Sequence, residues 1–255
     1  MTELRPGRPA LWANSEDAVN TTSDEALQEW PSTTYLGSLA PESRAMLLAL
    51  GRRRVISDGQ IFITMGDESQ EVFVILHGVA RVESPDAQGR LQVVDFQVRG
   101  DTIGVAAAMR HSPRSATVRA TGEFVAIEIP GEDFIKFLMD NPPAHFALTQ
   151  VMLARDERRK TYRLDTNQYD ALTLVTRTLI ELADRHGTST EHGIDLDPII
   201  AQTDLAPLSG VSESAVHKAL HTLRTEGVMG RGRLRLTITD IDALRRQGNP
   251  PPKAP

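Results

Sequence analysis

The chain has 255 residues, 40% of them hydrophobic and 24% charged, with no cysteine and a formal charge of −6. That length allows one large domain or two small ones, each with its own core. The missing cysteine excludes a disulfide framework, a zinc–thiolate site, a thiol nucleophile and a cysteine-ligated iron–sulfur cluster.

The charge is not evenly spread. Residues 1–32 carry six acids and two bases, residues 33–200 carry 23 acids and 18 bases, and residues 201–255 carry five acids and eight bases. The last fifth is therefore basic, a pattern that suits a nucleic-acid module. Residues 1–32 are rich in Ser, Thr, Asn and Pro and lack periodicity, so a disordered acidic arm is expected. The start, MTELRPGRPALWANSEDA, has no apolar signal core, and no apolar run is long enough to span a membrane; a cytoplasmic location is expected.

From Arg53 to Ile129 the pattern is one of short strands, with Val72, Val74 and Leu76 alternating with Phe73 and Ile75. Leu91, Val93 and Asp95 alternate with Val94 and Phe96, and Val118, Ala120, Phe124, Ala126 and Glu128 continue the theme. Glycines punctuate these runs at 59, 66, 78, 89, 100, 122 and 131. Several short strands at this spacing predict a sandwich, barrel or jelly roll. Helix takes over at residue 132, where Phe134, Ile135, Phe137 and Leu138 make an apolar face. After Asn141-Pro142-Pro143 no breaker appears from Ala144 to about Leu164, which predicts a long helix ending in the charged run RDERRKTYR. A further helix is expected over Tyr169–His186, with Leu172, Val175, Leu179 and Leu182 on one stripe and Gly187 as its stop.

Residues 203–227 read TDLAPLSGVSESAVHKALHTLRTEG. Thr203 is suited to cap a short helix over Asp204–Ser209, Gly210 to make a tight turn, and Ser212 to cap a second helix from Glu213 to about Thr225. Val211, Val216, Leu220 and Leu223 fall on the buried side of that second helix; Ser214, His217, Lys218 and His221 fall on the other. This is the layout of a helix-turn-helix, whose second helix enters the major groove. Gln202, Thr203, Ser212 and Glu213 complete the candidate contact set. Leu234, Leu236 and Ile238 then alternate with Arg235 and Thr237 behind an Arg231-Gly232-Arg233 tip, a basic wing whose Arg231 and Arg233 suit phosphates. Glu213 either accepts from a cytosine or serves the helix dipole.

Upstream, GDTIGVAAAMRHSPRSATVRA places a glycine-turned short helix before Arg114-Ser115, where backbone N–H groups and a guanidinium can hold a phosphate. The bland alternative is an exposed arginine at a strand edge. Other constellations are weak. The seven histidines show no metal-ligand spacing, His77 reads as a structural or surface residue at a strand end, Asp101 as a turn residue, and no nucleophile elbow appears.

GDESQEVFVILHGVARV, GDTIGVAAAM with PRSATV, the capped long helix and the winged helix-turn-helix occur in an order that resembles the cAMP receptor protein (CRP/FNR) family of bacterial transcription regulators, over about Thr33–Ile238. The resemblance implies an α+β chain without enzymatic activity. It implies a jelly roll of the cyclic-nucleotide-binding type over 33–143, a dimerisation helix over 144–166 and a winged-helix DNA-binding domain over 167–247. The arm 1–32 and the tail 248–255 flank them. It further implies a homodimer on a two-fold symmetric operator, with RNA polymerase as a partner and no membrane.

Departures bear on the effector. cAMP-binding members of the family carry a glutamate after the glycine that matches Gly104, holding the ribose hydroxyl; here that position is Val105, which cannot accept a hydrogen bond. The phosphate-contacting pair survives as Arg114 and Ser115, while the adenine-contacting Thr-Ser pair is matched by Arg159 and Lys160. Arg155, Arg159 and Arg163 share one helical stripe, flanked by Arg158 and Lys160. The expected effector is thus a nucleotide richer in phosphate than cAMP, such as cyclic di-GMP, gripped between Arg114 and this stripe. The alternatives are that Asp156 and Glu157 pair with these arginines, that the pocket is vestigial in an effector-independent or protein-regulated DNA-binding protein, or, remotely, that an enzyme uses the cassette as a phosphate site.

Overall fold

The computed structural model describes residues 29–86, 88–196, 200–230 and 236–249; within the long helix, the side chains of residues 158–168 are also outside the described set. Two short helices, α1 (Tyr35–Ser38) and α2 (Pro41–Leu48), lead into strands β1 (Arg52–Ile56), β2 (Ile61–Ile63), β3 (Val72–Pro85), β4 (Leu91–Val98) and β5 (Thr102–Ile103). Helix α3 (Val105–Arg110) and strand β6 (Thr117–Ile129) follow, then α4 (Gly131–Asp140) and the long α5 (Pro142–Gln168). The C-terminal part contains α6 (Ala171–His186), β7 (Thr188–Thr190), β8 (Gly193–Asp195) and a 3₁₀ turn (Gln202–Asp204). It ends with α7 (Leu205–Ser209), α8 (Glu213–Thr225), β9 (Thr237–Ile238) and α9 (Ile241–Gln247).

The first sheet is antiparallel, in the order β1-β6-β3-β4, with β2 added to β6 and β5 to β3. Its strands are longer than the glycine punctuation suggests. Gly78 and Gly122 lie inside β3 and β6 rather than between strands, and the β3–β6 register shifts around His77 instead of breaking. His77 is therefore mid-strand and exposed, not at a strand end. The sheet curls around Ile56, Phe73, Ile75, Phe124 and Ala126, while its other side buries Leu36, Leu47, Phe134, Phe137 and Leu148 of the flanking helices. Trp30 joins that second cluster, so the chain is packed from within the stretch expected as arm; residues 1–28 and 250–255 lie outside the described residues.

The C-terminal unit does not stand alone. Val79, Val93 and Phe96 of the sheet belong to the same apolar cluster as Val175, Leu179, Leu182, Leu205, Val216 and Leu223. Phe96 is fully buried, with its ring edge-on to His186 and 6.1 Å away, and with the Arg81 guanidinium 5.7 Å from its centroid. Burial of an aromatic of this size dominates a local interface. Phe96→Ala is expected to cost about 3–5 kcal/mol in urea unfolding, because the cavity it leaves is bounded by two units that cannot both collapse into it.

Candidate functional site

The sensor-side site is a cavity of about 360 Å³ lined by Gln97, Gly104, Val105, Arg114, Ser115 and Arg155, with further apolar walls. Gly104 has φ +89°, and a Cβ there would collide with the Arg114 guanidinium and the Glu71 carbonyl. Only glycine combines that backbone with that approach. Val105 is buried and presents methyl groups to the cavity, so no acceptor stands where the family's glutamate would.

Arg114 is neither exposed nor free to grip. It is buried, and its Nε donates to Ser69 Oγ (3.0 Å), Nη1 to the Gly104 carbonyl (3.4 Å), and Nη2 to the Glu71 carbonyl (2.9 Å) and carboxylate (3.3 Å). Burial pushes its pKa down, with Glu71 and Asp67 opposing. The alternative of an exposed strand-edge arginine does not hold: Ser69 and Glu71, in the loop between β2 and β3, hold this side chain in a buried network. Ser115 is exposed at the cavity rim.

Arg155 is the second cation. The helix places it on the face of α5 that turns toward the sheet, with Ala144, Ala147, Leu148 and Val151. Its partner is not Asp156 or Glu157 but Asp101, which it meets at 2.5 Å with only 2% of the acid's side chain exposed. Asp101 also accepts the Val98 amide at 3.0 Å, so its turn role holds and a second role is added. Burial raises the Asp101 pKa, while Arg155 and the Val98 N–H pull it back. The backbone of α5 runs through Arg158, Arg159, Lys160 and Arg163, but those side chains lie outside the described residues.

The second site is the helix-turn-helix. Gly210 ends α7 in the left-handed region (φ +67°), and Ser212 caps α8 by accepting the Ala215 amide. Val216, Ala219, Leu220 and Leu223 are buried and Val211 is partly so; Glu213, Ser214, His217, Lys218 and His221 are exposed along the free face. The entry differs from expectation. Thr203 does not cap; the cap-like bond comes from Asp204, whose carboxylate accepts the Ala201 amide at 2.8 Å and closes a 3₁₀ turn ahead of α7. Thr203 is exposed, and Gln202 bonds Nδ1 of His217 at 2.8 Å, tying the entry to the exposed face of α8. Arg231 and Arg233 lie outside the described residues, although Met229 and Ile238 at the base of the wing pair in a bridge.

Two ion pairs that sequence reading missed dock this unit on the sheet. Arg81 of β3 meets Asp204 at 2.5 Å, and Arg185 of α6 meets Asp95 at 3.3 Å and the Phe96 carbonyl at 3.2 Å. Burial pushes the Asp204 carboxyl up and Arg81 opposes it. The partners are 123 and 90 residues apart, and no local pattern signals such a pairing.

Comparison with known proteins places both sites in context. Residues 53–141 match the cyclic nucleotide-binding domain, and residues 175–247 match the Crp-like helix-turn-helix domain. The chain belongs to the CRP/FNR family of transcription regulators. It is 22% identical over 189 residues to the CRP-like cAMP-activated global transcriptional regulator of Mycobacterium tuberculosis, covering 74% of this chain and 84% of the relative. It is 26% identical over 197 residues to the cyclic AMP receptor protein of Thermus thermophilus, covering 76% and 87%. Among solved structures, the cyclic di-GMP-responsive global regulator CLP of Xanthomonas campestris superposes with a TM-score of 0.63 at 18% identity, covering 78% of this chain and 99% of that one; this supports the fold.

As a CRP/FNR member the chain is a DNA-binding transcription regulator with a nucleotide-binding-type domain. No described helix is long and apolar enough to cross a membrane. Gly104→Ala is expected to lower the thermal midpoint by several degrees, corresponding to about 1–3 kcal/mol for a non-glycine residue held at positive φ, and to displace Arg114.

Proposed function

We propose that this regulator is a homodimer whose operator affinity is set by a nucleotide second messenger with more phosphate than cAMP, cyclic di-GMP being the candidate. The reading rests on one observation: the cavity ends on Arg155, and the opposite face of that same helix is apolar and exposed. Phe146 (64% exposed) and Leu153 (57%) are seven residues apart on α5, a spacing that aligns them for a parallel partner helix. Effector contact and dimer contact thus share one rigid rod.

Val105 removes the usual acceptor for a ribose hydroxyl, which disfavours cAMP by about 1–3 kcal/mol. At about 360 Å³ the cavity is small for a ligand site. A neighbouring cavity of about 550 Å³ shares Val82, Ser115, Ala116 and Arg155 with it and supplies room for a second nucleoside. The domain division 33–143, 144–166 and 167–247, RNA polymerase as partner, and a cytoplasmic location belong to this reading. The DNA contacts assigned to it are Gln202, Thr203, Ser212, Glu213, Ser214, His217, Lys218 and His221, with the wing residues Arg231 and Arg233; Arg159, Lys160 and Arg163 extend the effector contacts.

One observation favours a second reading, a vestigial pocket: both cavity guanidinia already face internal carboxylates, Glu71 and Asp101. Calorimetric titration with cAMP, cGMP and cyclic di-GMP, followed by gel shifts on a duplex selected from random sequence, separates the two. Heat with cyclic di-GMP and a ligand-dependent shift support the sensor; no heat with any of the three and an unchanged shift support the vestigial pocket. For the dimer, Phe146→Glu combined with Leu153→Glu is expected to halve the mass seen by light scattering. The same pair should weaken operator binding at least ten-fold, since one half-site contact is lost on dissociation.

A further inference from the structure

The exposed face of α8 carries a side chain that is held from outside the helix. His217 follows the buried Val216, and Val216 and Leu220 fix the rotation of α8 so that His217 faces outward. Its Nδ1 meets Nε2 of Gln202 at 2.8 Å. An amide nitrogen only donates, so Nδ1 accepts, and the neutral ring then carries its proton on Nε2. An exposed imidazole without such a bond moves between tautomers and rotamers. Here Gln202 selects one of each, and the ring edge left outward is a donor, Nε2–H. Among the described residues nothing else bonds this ring.

Gln202 stands on a firm mount. It opens the 3₁₀ turn Gln202–Asp204 and is half-buried. One oxygen of the Asp204 carboxylate closes that turn on the Ala201 amide at 2.8 Å, and the other takes Arg81 of β3 at 2.5 Å. Leu205, next in the chain, is fully buried in the cluster that packs α6 against α8. The backbone carrying Gln202 is therefore fixed on both sides, and the imidazole is ordered before it meets a partner. Such ordering spares the entropy that a free side chain loses on binding.

A reading helix contacts base edges with its N-terminal residues, and His217 lies in the second turn of α8 with its Cβ leaning toward the N-terminus. In the major groove guanine offers two acceptors side by side, N7 and O6. Adenine sets a donor beside its N7, cytosine shows a donor, and thymine sets a methyl beside O4. A single neutral donor therefore suits guanine best. The other tautomer would present an acceptor and suit cytosine or adenine instead.

We infer that His217 donates from Nε2 to N7 of a guanine in the operator, and that Gln202 is the positioning residue that sets this choice by holding Nδ1 as an acceptor. The inference rests on the assignment of the exposed α8 face to the major groove and adds a base preference to it.

The test starts from the duplex that full-length wild type selects from random sequence. Each guanine of either strand is replaced in turn by 7-deazaguanine, which keeps its pairing but lacks N7, and Kd is measured by fluorescence anisotropy. At one guanine of the half-site the replacement should weaken wild type roughly 2–10-fold, the range for one net hydrogen bond. His217→Ala should bind the two duplexes equally at that position. No effect of any replacement on wild type overturns the contact, and so does an effect retained at every guanine in His217→Ala. A loss of affinity in His217→Ala that is uniform across sequences also overturns it, because that marks a phosphate contact. In Gln202→Leu the effect at the same guanine should shrink toward one; an undiminished effect overturns the positioning role and leaves the His217 contact standing. Ring ¹⁵N resonances of free wild type give a readout that needs no variant. Nδ1 should be unprotonated and Nε2 protonated, and the reverse overturns the tautomer. If wild type selects no sequence at all, the major-groove assignment falls and this inference with it.

Discussion

The turn Arg99-Gly100-Asp101 is where three parts of the molecule are tied together. Arg99 lays its guanidinium over the Trp30 ring at 4.2 Å, and the Gly100 carbonyl accepts the Leu36 amide, so the entering chain is held against the sheet. Gly100 N–H and the Asp101 carbonyl bond Ile75 on both sides, locking the turn to β3. Asp101 then reaches Arg155 and anchors the long helix. A buried pair of this kind contributes little net stability against its desolvation, but breaking one side leaves a charge with nowhere to go. Its value is positional: it fixes the rotation of α5, and with it the direction in which Phe146 and Leu153 face outward.

The other end of the sheet has a comparable arrangement. β3 and β4 carry Arg81, Asp95 and Phe96, and these are what the DNA-binding unit rests on. The reading face of α8 is not part of that contact; Ser214, His217, Lys218 and His221 remain exposed. Docking therefore orients the helix-turn-helix without covering it. In the proposed homodimer the two reading helices meet grooves about one helical turn apart, and there orientation alone can decide affinity.

What the sequence revealed follows from the range of the interactions. The stripe Val216, Leu220 and Leu223, the Ser212 cap and the Gly210 turn are set within a few residues, and periodicity reports them directly. The residues flanking the cavity were legible as a motif, including the loss of an acceptor at Val105. The partners of its cations were not. Arg114 finds Glu71 and Ser69 across a loop more than 40 residues away, Arg155 finds Asp101 54 residues upstream, and Arg81 finds Asp204 across 123. Thr203 matched a cap by type and position, yet Asp204, one residue on, has the charge to satisfy both the turn amide and Arg81, and it displaces the threonine from that role.

These pairings also change what the negative charge of the chain says. Several acids on the sensor side are already committed to internal arginines: Glu71 to Arg114, Asp95 to Arg185, Asp101 to Arg155, Glu128 to Arg52 and Arg54. An anion entering the cavity meets a guanidinium with a carboxylate at its side, not a bare cation. To draw Arg155 away it must offset the burial of Asp101 without its partner, and a single delocalised charge does so poorly. Two phosphates have more to offer. In the proposed sensor the internal acids act as a threshold, one that selects for ligands with enough anionic charge to compete with the carboxylates already paired to Arg114 and Arg155.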